Sequence, residues 1–307
     1  MSDPAVTLGY LRTSAGWIGR LSRAASSLLK AKTHTLFGHL PGALSGDEEA
    51  VHQLRVESRR LRVALSLVSE KPDGRRTKRV RELLQQLTRT AGVSRDLDVL
   101  LGIYDQRLGE LPGRTAEQSA LRRRLADARC RGQRNMVDAL LDLDVSQLRS
   151  RLRKLVARDV PPLSVINERF QAFAVREGQA LTEGLAHVGA QLDPVALHNL
   201  RRRARRLRYA LEVARAIIDE NTGATKPWKV VQDLIGGIHD HHVLAEWLEC
   251  QAAAGRKRGR EALAAVAVTE AAWARERMAR LHDHFIASRP HAIVEQGLSF
   301  LRPADRR

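Results

Sequence analysis

The sequence predicts an all-α protein. Apolar residues recur at helical spacing, as in Leu54, Leu61, Leu65 and Val68, whereas sustained period-two alternation of β-branched residues is hard to find. Turn and helix-end signals cut the chain into stretches of roughly 12 to 30 residues, the length of ordinary helices. A long segment rich in His and Arg returns in the second half of the chain with its helical spacing intact.

From the N-terminus the breaks fall at Leu40-Pro41-Gly42, Lys71-Pro72-Asp73-Gly74, Leu111-Pro112-Gly113, Val160-Pro161-Pro162, Asp193-Pro194, Asn221-Thr222-Gly223 and Arg289-Pro290. Proline stops a helix from continuing and glycine accepts the turn that follows. Ser45-Gly46-Asp47-Glu48 has the form of a capping box opening the helix that carries Leu54 to Val68. Asp193-Pro194 sets an acceptor at the N-cap and proline at the first helical position of the helix carrying Leu200 to Leu211.

The repeat is specific. His52-Gln53-Leu54-Arg55-Val56-Glu57-Ser58-Arg59-Arg60-Leu61-Arg62-Val63-Ala64-Leu65 returns 146 residues later as His198-Asn199-Leu200-Arg201-Arg202-Arg203-Ala204-Arg205-Arg206-Leu207-Arg208-Tyr209-Ala210-Leu211, identical at nine of fourteen positions. A weaker echo follows at an offset of 144, where Asp96-Leu97-Asp98-Val99-Leu100 faces Asp240-His241-His242-Val243-Leu244. Each half therefore repeats a helix order, with the boundary near Pro161-Pro162, giving halves 1–161 and 162–307. Two helical bundles related by a pseudo-twofold axis are the simplest architecture that meets this pattern.

Composition limits the partner. A chain of 307 residues buries a core without disulfides, and 43% hydrophobic with 28% charged residues describes an ordered protein. The 52 Lys and Arg against 35 Asp and Glu give a formal charge of +17, and the pI is near 11.0. Such a surface attracts polyanions: nucleic acid, a membrane surface or polyphosphate. Cys130 and Cys250 lie too far apart for a CxxC pair, which fits a reducing cytoplasm. Met1-Ser2-Asp3-Pro4 does not open a signal peptide, and no apolar run approaches the roughly 18 residues of a membrane span. The basic residues are 44 Arg and only 8 Lys. A GC-rich genome produces the same excess, so the positions of the arginines must carry the argument.

Their positions are ordered. At about 100° per residue, His52, Arg55, Arg59 and Arg62 fall in a sector roughly 80° wide, about 130° from the face of Leu54, Leu61, Leu65 and Val68. His198, Arg201, Arg205 and Arg208 repeat the sector, and Leu200, Leu207, Leu211 and Ala214 repeat the apolar face. Each stripe spans about 15 Å, the length of several phosphates in a row. Between His198 and Arg208 six arginines occur with no acidic residue. Such a cluster repels itself unless an anion or the carboxylates of another helix meet it. The histidines add a fractional charge that a phosphate would increase, or else they hydrogen-bond a neighbouring helix.

These segments resemble the paired signatures of the CHAD domains, the conserved histidine α-helical domains. The likeness rests on His52-x-Leu54-Arg55-Val56-x-x-x-Arg60-Leu61-Arg62 and on Leu197-His198-x-Leu200-Arg201-x-x-x-x-Arg206-Leu207-Arg208-Tyr209-Ala210-Leu211-Glu212. Arg95-Asp96-Leu97-Asp98-Val99 is similar to the family's RDxDV segment, and the likeness runs from about Asp47 to Phe285. The resemblance implies two four-helix bundles around a basic central groove that binds inorganic polyphosphate, often at polyphosphate granules. Carried over by motif position, the implied ligands are His52, Arg55, Arg59, Arg62, His198, Arg201, Arg205 and Arg208, with Arg60 and Arg206 nearby. Lys30, Lys78, Lys226 and Lys229 join them by helix position alone. Many relatives also carry an N-terminal CYTH catalytic domain; only about 45 residues precede the first motif, so none is expected in this sequence, and neither is catalysis.

Other chemistries find little support. His239-Asp240-His241-His242 and His282-Asp283-His284 offer metal-ligating side chains, but the first run aligns with Arg95-Asp96-Leu97-Asp98, which lacks its histidines. Asp96 and Asp240 are instead expected to cap a helix or hold a basic residue. No metal or cofactor is expected, because Gly236-Gly237 lacks a Walker lysine and GxGxxG, GxSxG and HExxH are missing. Arg256-Lys257-Arg258-Gly259-Arg260 reads as a solvated helix start, with a nucleic-acid patch as the sharper reading. His52-x-x-Arg55 resembles the opening of a histidine phosphotransfer helix, but Val56 and Arg202 replace the small neighbour which that chemistry needs. Nucleic-acid binding is the stronger rival to polyphosphate, although aromatics at 4% leave single-strand stacking platforms missing. Oligomeric state is not set by the sequence.

Overall fold

A computed structural model describes the backbone of residues 15–157, 160–188, 191–218 and 225–299, and the side chains of 24–157, 160–188, 191–217 and 225–299. Among the described residues the chain forms eleven helices and no strand: α1 (Ala15–Gly38), α2 (Leu40–Ser45), α3 (Glu48–Val68), α4 (Arg75–Gly109), α5 (Ala116–Asp142), α6 (Val145–Val156), α7 (Leu163–Ala186), α8 (Pro194–Ile218), α9 (Lys226–Arg256), α10 (Glu261–Ala287) and α11 (Pro290–Ser299). The protein is all-α, as its periodicity predicts.

Most breaks fall where proline and glycine place them: Pro72 and Gly74 between α3 and α4, Pro112 between α4 and α5, Pro161 between α6 and α7, and Arg289 with φ of 54° before α11. Asn221-Thr222-Gly223 lies outside the described residues. Leu40-Pro41-Gly42 differs from expectation, because it opens the short helix α2. Proline in a first turn lacks only an N–H that has no helical partner there. The capping expectation shifts for the same reason. Ser45 donates to the Gly42 carbonyl at 2.9 Å and closes α2, Gly46 takes the left-handed φ of 85°, and Asp47 caps α3 by accepting from the Ala50 N–H at 2.6 Å. At α8 the expected cap is present: Asp193 Oδ1 accepts from the N–H groups of Val195 and Ala196 at 2.9 and 3.0 Å.

The element order of the first half, α1 then α3 to α6, returns as α7 then α8 to α11. One contact shows the correspondence with its charges exchanged. Lys32 of α1 pairs with Glu57 of α3 at 3.3 Å, while Glu177 of α7 pairs with Arg203 of α8 at 3.5 Å. The apolar faces of both basic helices are buried, with Leu54, Leu61, Leu65, Leu200 and Leu207 all at or below 2% exposure. They belong to a core that takes residues from all eleven helices, including Met136 and Leu140 of α5. A second cluster joins Leu100, Tyr104, Leu121 and Leu125 of α4 and α5 to Leu244, Leu248, Ala267 and Ala274 of α9 and α10. Both clusters cross the α6–α7 connection, and α3 packs directly on α8.

Candidate functional site

Packing α3 on α8 turns the two basic stripes towards each other. Arg59 and Arg205 occupy equivalent positions in the repeat, and each is largely buried between the helices. Burial, then the charges of Arg205 and Arg55, lower Arg59 to about 9. Burial likewise lowers Arg205 to about 10, with Arg201 and Arg55 adding repulsion. Both guanidinium groups stay charged at pH 7, so the contact between α3 and α8 holds unneutralised positive charge in a partly desolvated place. Beside it lies a cavity of about 390 Å³ lined by Arg59, Arg62, Lys78, Arg81, Arg202, Arg205 and Arg206, with Glu82 the one carboxylate on its wall among the described residues. Burial, followed by Arg81, Arg206 and Arg202, depresses the Arg62 guanidinium as well. Tyr209 and Phe173 supply the aromatic part of the wall.

Arg55 is held by the next helix, and Arg201 lies against the equivalent helix of the other half. Arg55 Nη1 donates to the Gly92 carbonyl at 3.2 Å and to Asp96 Oδ1 at 3.0 Å. A Cβ at Gly92 would stand 3.7 Å from Arg55 Nη2, and one at Gly236 would stand 3.5 Å from Arg201 Nη2. Gly92-x-x-x-Asp96 on α4 and Gly236-x-x-x-Asp240 on α9 thus form matching seats, each glycine letting a guanidinium lie against the helix backbone. Asp96 and Asp240 do not cap their helices, since both lie within them. Burial raises Asp240 in spite of Arg201 beside it. Asp98 accepts from Arg129 at 2.7 Å, so both acids of the Arg95-Asp96-Leu97-Asp98-Val99 segment hold arginines.

The histidines sit among these charges. Burial and then Arg95 lower His52, with Arg55 and Arg59 also repelling its proton. His198 packs against His239 of α9 with ring centroids 4.6 Å apart, and burial followed by His239, Arg202 and Arg205 brings it down to about 4. Its Nδ1 is buried without a hydrogen-bond partner. The rest of the His239-Asp240-His241-His242 run disperses around α9. His241 Nδ1 meets the Gly237 carbonyl at 2.8 Å, and His242 Nε2 lies 3.5 Å from Glu246. Among the described residues no group of three His, Cys, Asp or Glu converges as a metal would need.

Several residues of the sequence-derived set occupy other roles. Arg60 donates to Glu212 at 2.8 Å and to Glu57 at 2.7 Å; burial opposes its charge, but the two carboxylates outweigh it and raise its pKa. Arg206 meets Glu177 at 3.1 Å, and Arg208 lies 3.8 Å from Glu212. Glu57 and Glu177 are buried, at 3% and 0% exposure, so Arg60 and Arg206 neutralise carboxylates that the fold encloses. Arg206 still lines the cavity. Of the lysines, Lys78 lines it too. Lys30 lines a different cavity between α1 and α6, Lys226 is exposed at the start of α9, and Lys229 pairs with Asp233 at 3.2 Å. Arg81 and Arg202 were not in that set. Arg202 stands one turn beyond His198, on the neighbouring column of the same helix, and that i+4 spacing was the available signal. Arg81 lies on α4 outside both His/Arg motifs, where their spacing carries no mark of it.

Comparison with known proteins agrees with the fold. The profile of the CHAD domain matches residues 27–249. Two curated relatives, uncharacterised proteins of Mycobacterium tuberculosis strains CDC 1551 / Oshkosh and ATCC 25618 / H37Rv, are each 29% identical over 230 residues, which is 69% of this chain and 42% of the relative. The chain thus spans about two-fifths of the length of these relatives. Among solved structures, the CHAD domain from the plant Ricinus communis superposes with a TM-score of 0.63 at 20% identity, covering 94% of both chains. PptA from Streptomyces chartreusis gives 0.59 at 17% identity, covering 91% of this chain and 99% of its own. Helix order, repeated His/Arg helices and a profile match over most of the chain lead to one assignment: the chain belongs to the CHAD domain family.

Proposed function

We propose that this chain binds inorganic polyphosphate, without catalysis, in the basic groove where α3 meets α8, and that it acts at cytoplasmic polyphosphate granules. Two related helical bundles, divided near residue 161, flank the groove in this reading. The observation that carries it is the approach of Arg59 to Arg205, with Arg55, Arg62, Arg201 and Arg202 around them. Such a set costs stability in isolation and repays it when phosphates supply charge-assisted hydrogen bonds to several guanidinium groups. His52, His198 and Lys78 complete the set as further donors. A linear chain of phosphates needs no stacking platform, which matches a wall made chiefly of guanidinium groups.

The test is a competition titration at about 150 mM salt, setting long-chain polyphosphate against single-stranded DNA, duplex DNA and RNA of matched phosphate content. Preference for polyphosphate is expected. Replacing Arg55, Arg59, Arg201 and Arg205 together by Ala should abolish binding while leaving helix content intact. Equal or tighter binding to nucleic acid, or wild-type affinity in the fourfold variant, would overturn the reading. Fluorescent labelling of cells with and without polyphosphate tests the granule location.

A further inference from the structure

A second cavity, of about 540 Å³, opens between α1 and α6. Its rim is cationic: Lys30 and His34 come from α1, Arg149 and Arg153 from α6, and all four are exposed. Its floor is apolar, with Phe37, Val156 and Ala157, and the Arg149 guanidinium lies 4.5 Å from the centre of the Phe37 ring. No carboxylate lines it among the described residues.

The repeat supplies an internal control. In the second half α7 and α11 form the equivalent cavity, of about 420 Å³, and an offset of 145 maps one lining onto the other. Lys30 becomes Val175, His34 becomes Gln179, Phe37 becomes Thr182 and Arg153 becomes Leu298. Arg149 corresponds to Val294, which is buried. The described lining of that second cavity contains no basic residue and one acid, Glu183. The fold therefore does not require cations at this place; one copy of the cavity has them together with an aromatic ring, and the other has neither.

We propose that the α1–α6 cavity is a second binding site, separate from the groove, for a small phosphorylated organic molecule. Lys30, Arg149 and Arg153 take the phosphates as charge-assisted donors, and the apolar body covers Phe37 and Val156. An inorganic anion leaves that floor wet, whereas a ring laid beside the stacked Arg149–Phe37 pair dries it. The cavity volume lies within the range usual for small-molecule sites.

The probes are ATP, adenosine and inorganic tripolyphosphate, titrated calorimetrically into the full chain. The groove variant with Arg55, Arg59, Arg201 and Arg205 replaced by Ala is used so that groove binding and cavity binding separate. In that background ATP is expected to saturate one site per chain, more tightly than tripolyphosphate or adenosine. Adding Arg149→Val and Arg153→Leu, the residues of the sister cavity, should weaken ATP by about tenfold or more, as the loss of two charge-assisted contacts implies. Lys30→Val on the facing helix should weaken it in the same direction, so the result does not depend on α6 alone, and thermal melting checks that each variant folds. On otherwise wild-type protein the α6 pair should leave long-chain polyphosphate affinity unchanged. The proposal is overturned if the groove variant does not bind ATP, if the α6 pair binds it as before, or if tripolyphosphate matches ATP.

Discussion

Arg55 and Arg201 are placed by glycines one helix away, and the distances show how much change each place tolerates. A Cβ at Gly92 or Gly236 would meet guanidinium nitrogen at 3.7 or 3.5 Å, which is ordinary contact. Gly92→Ala should therefore keep polyphosphate binding and gain up to about 1 kcal/mol in urea unfolding, the cost of glycine inside a helix. Gly92→Leu should push the Arg55 guanidinium off Asp96 and weaken binding; unchanged affinity would remove the seat from the groove. His198 gives a pH dependence of definite sign. Its imidazole is held at about 4 by burial, His239, Arg202, Arg205 and Arg201, against 6.5 when unfolded. Between those values the unfolded chain binds more protons, so stability should fall as pH drops from about 6.5 towards 4. His52 and His239 are lowered as well and act in the same sense. His198→Gln should flatten the fall in melting temperature across that window. Polyphosphate reverses the local field, so binding at pH 5 should take up protons, read from calorimetry in buffers of different ionisation enthalpy.

At the scale of the helix, the sequence shows what period and spacing control. The stripe of His52, Arg55, Arg59 and Arg62 and the buried face of Leu54, Leu61 and Leu65 follow from 3.6 residues per turn, and the structure places them on separate faces of α3. Contacts made by distant helices leave no such mark. Glu177 lies 26 residues before Arg203 and on another helix, so its pairing with Arg203 and Arg206 is invisible in a segment that reads as six unopposed arginines. The same limit moved Lys30 from the groove to the α1–α6 cavity, because helix position does not say which neighbour a side chain faces. Helix ends are legible where one side chain does the capping. Asp193 satisfies two N–H groups at the start of α8, the helix that presents His198 and Arg201. Asp193→Ala should cost about 1 kcal/mol in urea unfolding. It should leave polyphosphate affinity within about twofold, because the cap lies outside the stripe; a larger loss would mean that the first turn of α8 sets the position of His198.

For the whole molecule, the repeat in the sequence and the cooperativity of the fold point to different units. The duplication suggests that residues 1–161 make a self-contained half, yet both apolar clusters draw on both halves. Leu100, Tyr104, Leu121 and Leu125, all at or below 3% exposure, pack with Leu244, Leu248 and Ala274 of the other half. Arg60 on α3 also reaches Glu212 on α8, which ties the halves beside the groove. Removing the second half uncovers these side chains at roughly 1.5–3 kcal/mol each, a sum comparable with the total stability of a domain. A fragment of residues 1–161 should therefore show helical far-UV dichroism without a cooperative urea transition, and the full chain should unfold in one step. The groove explains why one cooperative unit serves the proposed function. Arg59 and Arg205 come from opposite halves and repel each other, so bringing them together costs free energy that only a shared core can supply. Polyphosphate bound across the interface adds to that core by mass action, and it should raise the melting temperature of the full chain more than phosphate at the same ionic strength does. If the 1–161 fragment instead unfolds cooperatively near the midpoint of the full chain, each half holds its arginine alone and the groove is a docking of two finished domains.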